Sequence, residues 1–153
     1  MKTKQLTQLI GRLLHHVKEN EKVPFYVADV GEVTPSEMHI IERIGEKTTV
    51  TGKEISTELD ITKGAVSQLV SKLESKQLLV RQPHAGDQRS HCLILTEKGR
   101  LAFRQHQRIA DEFHKQVDLM LTREERAGFE KGLEVFIHYL QKSVKERRNL
   151  DEK

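Results

Sequence analysis

Lys63, Gly64, Ala65, Ser67, Gln68, Ser71 and Lys72 fall on one side of the stretch ITKGAVSQLVSKLESKQ, which has helical spacing. Thr62 stands in front of them as a candidate N-cap. Val66, Leu69, Val70 and Leu73 fall on the opposite side. The first group is small, hydrogen-bonding or cationic. Small residues let a helix come close to base edges in a DNA groove. Gln can pair with adenine through two hydrogen bonds, Ser can donate or accept, and Ala can touch a thymine methyl. Lys and the free amides of a helix N-terminus take phosphates. An ordinary solvated face is the alternative, but such a face more often carries several Glu. This helix has Glu74 alone, at its far end.

A second group lies in PHAGDQRSHCLI, residues 83–94. The Pro83–Gly86 turn signal leads to Asp87 and Arg89 and then to an apolar run. An arginine on a hairpin can enter a minor groove, where the negative potential attracts its guanidinium. A carboxylate cannot contact phosphate favourably, so Asp87 suits accepting turn amides or bracing Arg89. A surface ion pair of little energetic worth is the alternative.

These residues need elements to hold them. Leu6, Leu9, Ile10, Leu13, Leu14 and Val17 give a helix over 5–20. A polar link containing Pro24 follows. In TPSEMHIIERIG, Thr34 caps, Pro35 takes the first helical position and Glu37 completes a capping box. Met38, Ile41 and Ile44 face inward, and Gly45 is read as the end. Thr48–Val50 is β-prone, and Thr51 with Glu54 opens a short helix with Ile55 and Leu59 inward. Residues 78–82 and 91–95 read as two strands. Thr96 caps a helix to Met120 with a stripe through Leu101, Ala102, Ile109, Phe113 and Val117. Thr122 and Glu125 open a last helix with Leu133, Phe136, Ile137 and Leu140 inward. A charged tail from Glu146 is expected to fray. Helix, tight turn, second helix and hairpin is the order of a winged helix-turn-helix. The fold expected is mainly α (α+β), with the N- and C-terminal helices forming an all-helical dimerisation region.

The chain of 153 residues suits one domain, with 36% hydrophobic and 32% charged residues. That apolar fraction promises a thin core, completed against a second subunit. A net charge of +3 is too mild to imply nucleic acid by itself. The one cysteine, Cys92, excludes an intrachain disulfide and fits a reducing compartment. No apolar run reaches membrane length and the start lacks a signal-peptide pattern, so a cytoplasmic protein without membrane partners is expected. No GxSxG, phosphate-cradling Gly loop or paired carboxylates point to an enzyme, and no cofactor is called for.

TPSEMHIIERIG, ISTELDITKGAVSQLVSKLESKQLLVRQP and GDQRSHCLILTEKG together resemble the multiple-antibiotic-resistance regulator (MarR) family. The resemblance covers residues 32–100, and the D-x-R wing followed by LTEKG is its most specific part. It implies a winged helix-turn-helix core over 32–100 within a single domain of 1–153. It also implies dimerisation helices at 5–22 and 97–145. The implied activity is that of a sequence-specific regulator, a ligand-responsive repressor, acting as a homodimer. Its two recognition helices would dock in successive major grooves of a pseudo-palindromic double-stranded operator, with Asp87 and Arg89 as wing residues. The implied effectors are small aromatic or phenolic acids, in a pocket lined by Ile10, His16, Met38, His39 and Ile41. One departure is Gln77, where the family has Gly after the recognition helix.

Two other functions are weighed. Zinc-sensing members draw ligands from the helices that carry His39 and His106. However, the partner position four residues on, 110, is Ala, so histidines satisfied in a pocket or interface are the competing reading. A winged-helix module for protein contact alone is the other alternative, and Arg89 argues against it. Cys92, with no partner cysteine, reads as a packing residue rather than an oxidant sensor.

Overall fold

The computed structural model describes residues 2–84 and 87–151, with side chains at 4–83, 91–144, 146 and 147. Five threonines or their neighbours set the helix starts through local hydrogen bonds. Helix α1 is Lys2–Asn20, and α2 is Pro35–Lys47. Thr34 caps α2 in a reciprocal box: its hydroxyl accepts from the Glu37 amide and its own amide donates to Glu37. The same device at Thr51 and Glu54 starts α3, Gly52–Glu58. Thr62 starts α4, Lys63–Ser75, by accepting from the Ala65 amide at 3.1 Å. Thr96 accepts from the Gly99 amide and starts α5, Glu97–Met120. Thr122 and Glu125 start α6, Arg123–Asp151. The helix runs on through the tail from Glu146, so its backbone is helical where fraying was expected.

The chain divides into two compact units, Met1–Gln107 and Arg108–Lys153. The first holds two sheets. Strands β3 (Val50–Thr51), β4 (Leu79–His84) and β5 (Asp87–Leu95) form an antiparallel sheet in the order β3–β5–β4. Val50 pairs with Leu93, and Val80 with Ile94. The register shifts between Pro83 and His84. The second sheet corrects the sequence reading. The stretch after Pro24 is a hairpin, β1 (Phe25–Val27) and β2 (Gly31–Val33), rather than a polar link. Asp29 in its turn and Gly31 at the start of β2 adopt positive φ. Strands of three residues are too short for periodicity to reveal, although Val27 and Val33 are fully buried.

One core joins these elements. Met38, Ile40, Ile41 and Ile44 of α2 pack with Ile55, Val66, Val70, Leu73, Leu78 and Leu79. Two glycines are set by close approach. The ring of Phe103 lies where a Cβ of Gly45 would fall, at 2.5 Å. Gly45 is therefore a packing position inside α2, not its end. The helix stops at Thr48, which takes φ of 69°. At Gly99, the Leu78 carbonyl occupies the place of a Cβ. That carbonyl also accepts from the Thr96 amide. The glycine of LTEKG thus lets α5 begin directly against the end of α4.

In the second unit, Arg126 pairs with Asp118 across the α5–α6 turn and with Glu130 one turn on along α6. Several of its large apolar side chains are exposed: Phe113, Phe129, Val135, Ile137 and Tyr139. In the first unit, α1 likewise leaves Leu6, Leu9, Leu13, Leu14 and Val17 exposed. The spacing gives amphipathic helices, and these apolar side chains are exposed among the described residues.

Candidate nucleic-acid interface

Helix α4 is held by its apolar side and presents its other side to solvent. Val66, Val70 and Leu73 are buried, and Leu69 is half-buried. Thr62, Lys63, Gly64, Ser67, Gln68, Ser71 and Lys72 are exposed, and Ala65 is half-exposed. The expected segregation of α4 residues is thus present. No acidic residue lies in its first turn, which leaves the positive end of the helix dipole free for an anion.

The far end of α4 is fixed twice. Gln77 takes φ of 60°, so it accepts the left-handed conformation usually left to Gly. The Leu78 amide donates to the Leu73 carbonyl and the Gln77 amide to that of Glu74, both at 2.9 Å. That is a Schellman cap, with Leu73 and Leu78 both fully buried beneath it. The Gln77 carbonyl also accepts from the Thr96 hydroxyl at 2.6 Å, which holds the strained residue in place.

The second anchor is Lys76. Its Nζ donates to Glu37 Oε2 at 2.6 Å and to the Glu32 carbonyl at 2.8 Å. Glu37 is 2% exposed, the one buried charged residue among those described. Burial pushes its carboxyl up, but the Lys76 hydrogen bond, the Thr34 amide and the Lys76 charge together bring it below its usual value. Sequence reasoning found Glu37 as a cap residue. It did not find Lys76, which lies 39 residues away.

The two wing strands, β4 and β5, pair beside α4. Asp87 and Arg89 lie in β5, and their side chains are outside the described residues, as is Ala85–Gly86 entirely. The proposed Asp87–Arg89 brace therefore remains an expectation. Closer to the helix, Arg81 of β4 donates from Nε to Glu74 Oε2 at 3.0 Å and approaches the Ser71 hydroxyl at 3.5 Å. Arg81 lines a groove with Lys53, Lys63, Ser67 and His91. The sequence reading does not single out Lys53, Arg81 or His91. Basic types are common in this chain, and only pairing of the strands brings these three to one groove.

The five residues expected to line an effector pocket stand in different settings. Met38 and Ile41 belong to the core, at 1% and 0% exposure. His16 and His39 are exposed, and Ile10 is half-exposed on α1. The inward stripe of α2 serves packing, and its neighbour on the next face, His39, points elsewhere. His39 shares a groove with Ser36, Ala65, Gln68 and Lys72, alongside α4.

The histidines are also separately engaged. His106 Nε2 lies 3.0 Å from Glu42, and its ring meets Phe25 edge-on at 4.8 Å. His39 Nε2 lies 3.9 Å from Glu21. Among the described residues, no group of three or more potential ligands could hold a metal ion. Cys92 is half-buried in the central strand, paired with Thr51 and Gln82. No helix among the described residues is long and apolar enough to cross a membrane.

Comparison with known proteins agrees with this geometry. A family model described as the MarR family matches residues 32–90. The multiple antibiotic resistance protein MarR of Escherichia coli (strain K12) is 26% identical over 124 residues, spanning 79% of this chain and 85% of that protein. The crystal structure of Streptococcus pneumoniae FabT in complex with DNA is similar with a TM-score of 0.73 at 30% identity, over 92% of this chain and 95% of that one. A mutant of E. coli MarR complexed with operator DNA gives a TM-score of 0.64 at 25% identity, over 83% and 92%.

Proposed function

Because this chain belongs to the MarR family of winged-helix transcriptional regulators, we propose that it binds a double-stranded operator as a homodimer and acts as a ligand-responsive repressor. The observation that carries the DNA reading is the exposed face of α4. Lys63, Ser67, Gln68, Ser71 and Lys72 are offered to solvent on a helix whose other face is locked into the core. Thr62 and Lys63 would meet backbone phosphate at its N-terminus, while Gly64, Ala65, Ser67 and Gln68 approach base edges. Asp87 and Arg89 would serve the minor groove from the wing.

The homodimer reading is supported by the uncovered apolar stripes of α1, α5 and α6. Exposing so many large side chains is costly in water, and a second copy is the cover that symmetry supplies. A symmetric pair would present two recognition helices to successive major grooves about 34 Å apart. A ligand that binds one spacing better than the other would shift the dimer only by its differential affinity. Small aromatic and phenolic acids are the class to screen as effectors.

The test is selection of bound duplexes from a random pool, followed by gel shift of the winner at low and moderate salt. A pseudo-palindromic winner bound tightly by a dimer is expected. No selective binding at low salt would reject the reading.

A further inference from the structure

Glu74 is the one carboxylate of α4, and it sits where the DNA-facing surface meets the wing. Its Oε2 holds Arg81 Nε at 3.0 Å, and both side chains remain about one-third exposed. Arg81 borders the groove that Lys53 reaches from the start of α3 and Lys63 from the start of α4. No carboxylate lines that groove among its described residues. Three cations from three elements therefore converge where a phosphate backbone passing α4 would lie, while the Arg81 guanidinium is engaged by a carboxylate on the helix itself.

We propose that the Glu74–Arg81 pair is an affinity-setting latch. Without DNA, Glu74 holds Arg81 on α4. On binding, Arg81 leaves Glu74 for a backbone phosphate in the groove shared with Lys53 and Lys63. This rests on the DNA-binding reading above and adds a regulatory contact to it. A guanidinium pairs with a phosphate as readily as with a carboxylate. An exposed ion pair is weak enough to exchange partners. The latch subtracts from operator affinity the work of opening the pair.

The test is a double-mutant cycle, with Glu74→Gln, Arg81→Gln and both together. Affinity is measured on a duplex selected by the wild-type protein, across a series of salt concentrations. Thermal unfolding confirms that each variant is folded, as substitution at these exposed positions allows. Arg81→Gln should weaken binding and reduce the slope of log K against log salt by about 0.9, the value for one lost phosphate contact. Glu74→Gln should tighten binding roughly two- to fivefold. That gain should vanish in the Arg81→Gln background, because no guanidinium is left to release.

A gain that persists undiminished without Arg81 would overturn the latch and leave Glu74 as simple repulsion. Weaker binding by Glu74→Gln would overturn it too, since Glu74 would then be aiming Arg81 rather than withholding it. An unchanged salt slope in Arg81→Gln would remove the phosphate contact. Failure of the wild type to select any duplex would instead reject the DNA-binding reading itself.

Discussion

Replacing Lys76 with methionine keeps most of the side-chain volume and removes its charge from Glu37. The wild-type ammonium makes two short hydrogen bonds, to the Glu37 carboxylate and to the Glu32 carbonyl. Glu37 is almost fully buried, whereas Lys76 is 31% exposed. A hydrogen bond to a charged group contributes about 1.5–3 kcal/mol. The loss of a fully buried ion-pair partner costs about 3–5 kcal/mol, and water reaching Lys76 brings the expectation down to about 2 kcal/mol at pH 7.

The pH dependence separates charge from packing. In the wild type, the Glu37 carboxyl lies below its ordinary 4.5. Its contribution is therefore present above the unfolded value and lost as pH falls through the lower folded value. In the variant, burial is opposed only by the Thr34 amide and hydroxyl, and the carboxyl moves upward from its wild-type position. Protonation then relieves the buried charge, so the stability gap between variant and wild type should narrow as pH falls from 7 toward 4. Urea unfolding at both pH values, at constant ionic strength, measures this gap. An equal gap at both would refute the reasoning and assign the loss to packing of the lysine stem.

Gln77→Gly should raise stability by up to about 1 kcal/mol, by relieving the left-handed backbone. Thermal unfolding would show this as a rise of roughly 2–4 °C, and a fall would mean that the hydrogen bond from Lys98 Nζ to Gln77 Oε1, at 3.3 Å, outweighs the strain. Gly99→Ala should cost about 1–3 kcal/mol or more, because Leu78 fills the space with backbone; urea unfolding within 0.5 kcal/mol (roughly the noise of a surface change) would contradict that. Gln68→Ala should flatten the operator preference in competition binding with mismatched duplexes, and a uniform loss on all duplexes would make Gln68 a backbone contact. Arg89→Ala should weaken operator binding several-fold in the same assay, and unchanged affinity would remove the wing from the interface.

How far the sequence carries depends on how far apart the interacting residues lie. Helix starts at Thr34, Thr51, Thr62, Thr96 and Thr122 were legible because each cap is completed within three residues. The two faces of α4 were legible because 3.6 residues per turn sorts them without reference to the rest of the chain. The β1–β2 hairpin was not, since six strand residues carry too little pattern. That Met38 and Ile41 are closed into the core was not legible for a related reason. A position on an apolar stripe shows that a side chain turns inward, but not whether packing leaves space beside it. For Met38 and Ile41 the core leaves none.

By itself, then, the sequence determined the order of the helices, their caps and the face that α4 turns to solvent, all from short-range hydrogen bonding and helical periodicity. Tertiary structure alone decided that Lys76 pins α4 to Glu37, that Phe103 claims the space at Gly45, and that Arg81 lies against Glu74. Each of these needs the strands and helices already docked. Separation along the chain says nothing of distance once a turn has reversed its direction. The same periodicity places the leucines of α1 on one face by sequence, while their exposure, at Leu6, Leu9, Leu13 and Leu14, is a fact of the tertiary structure.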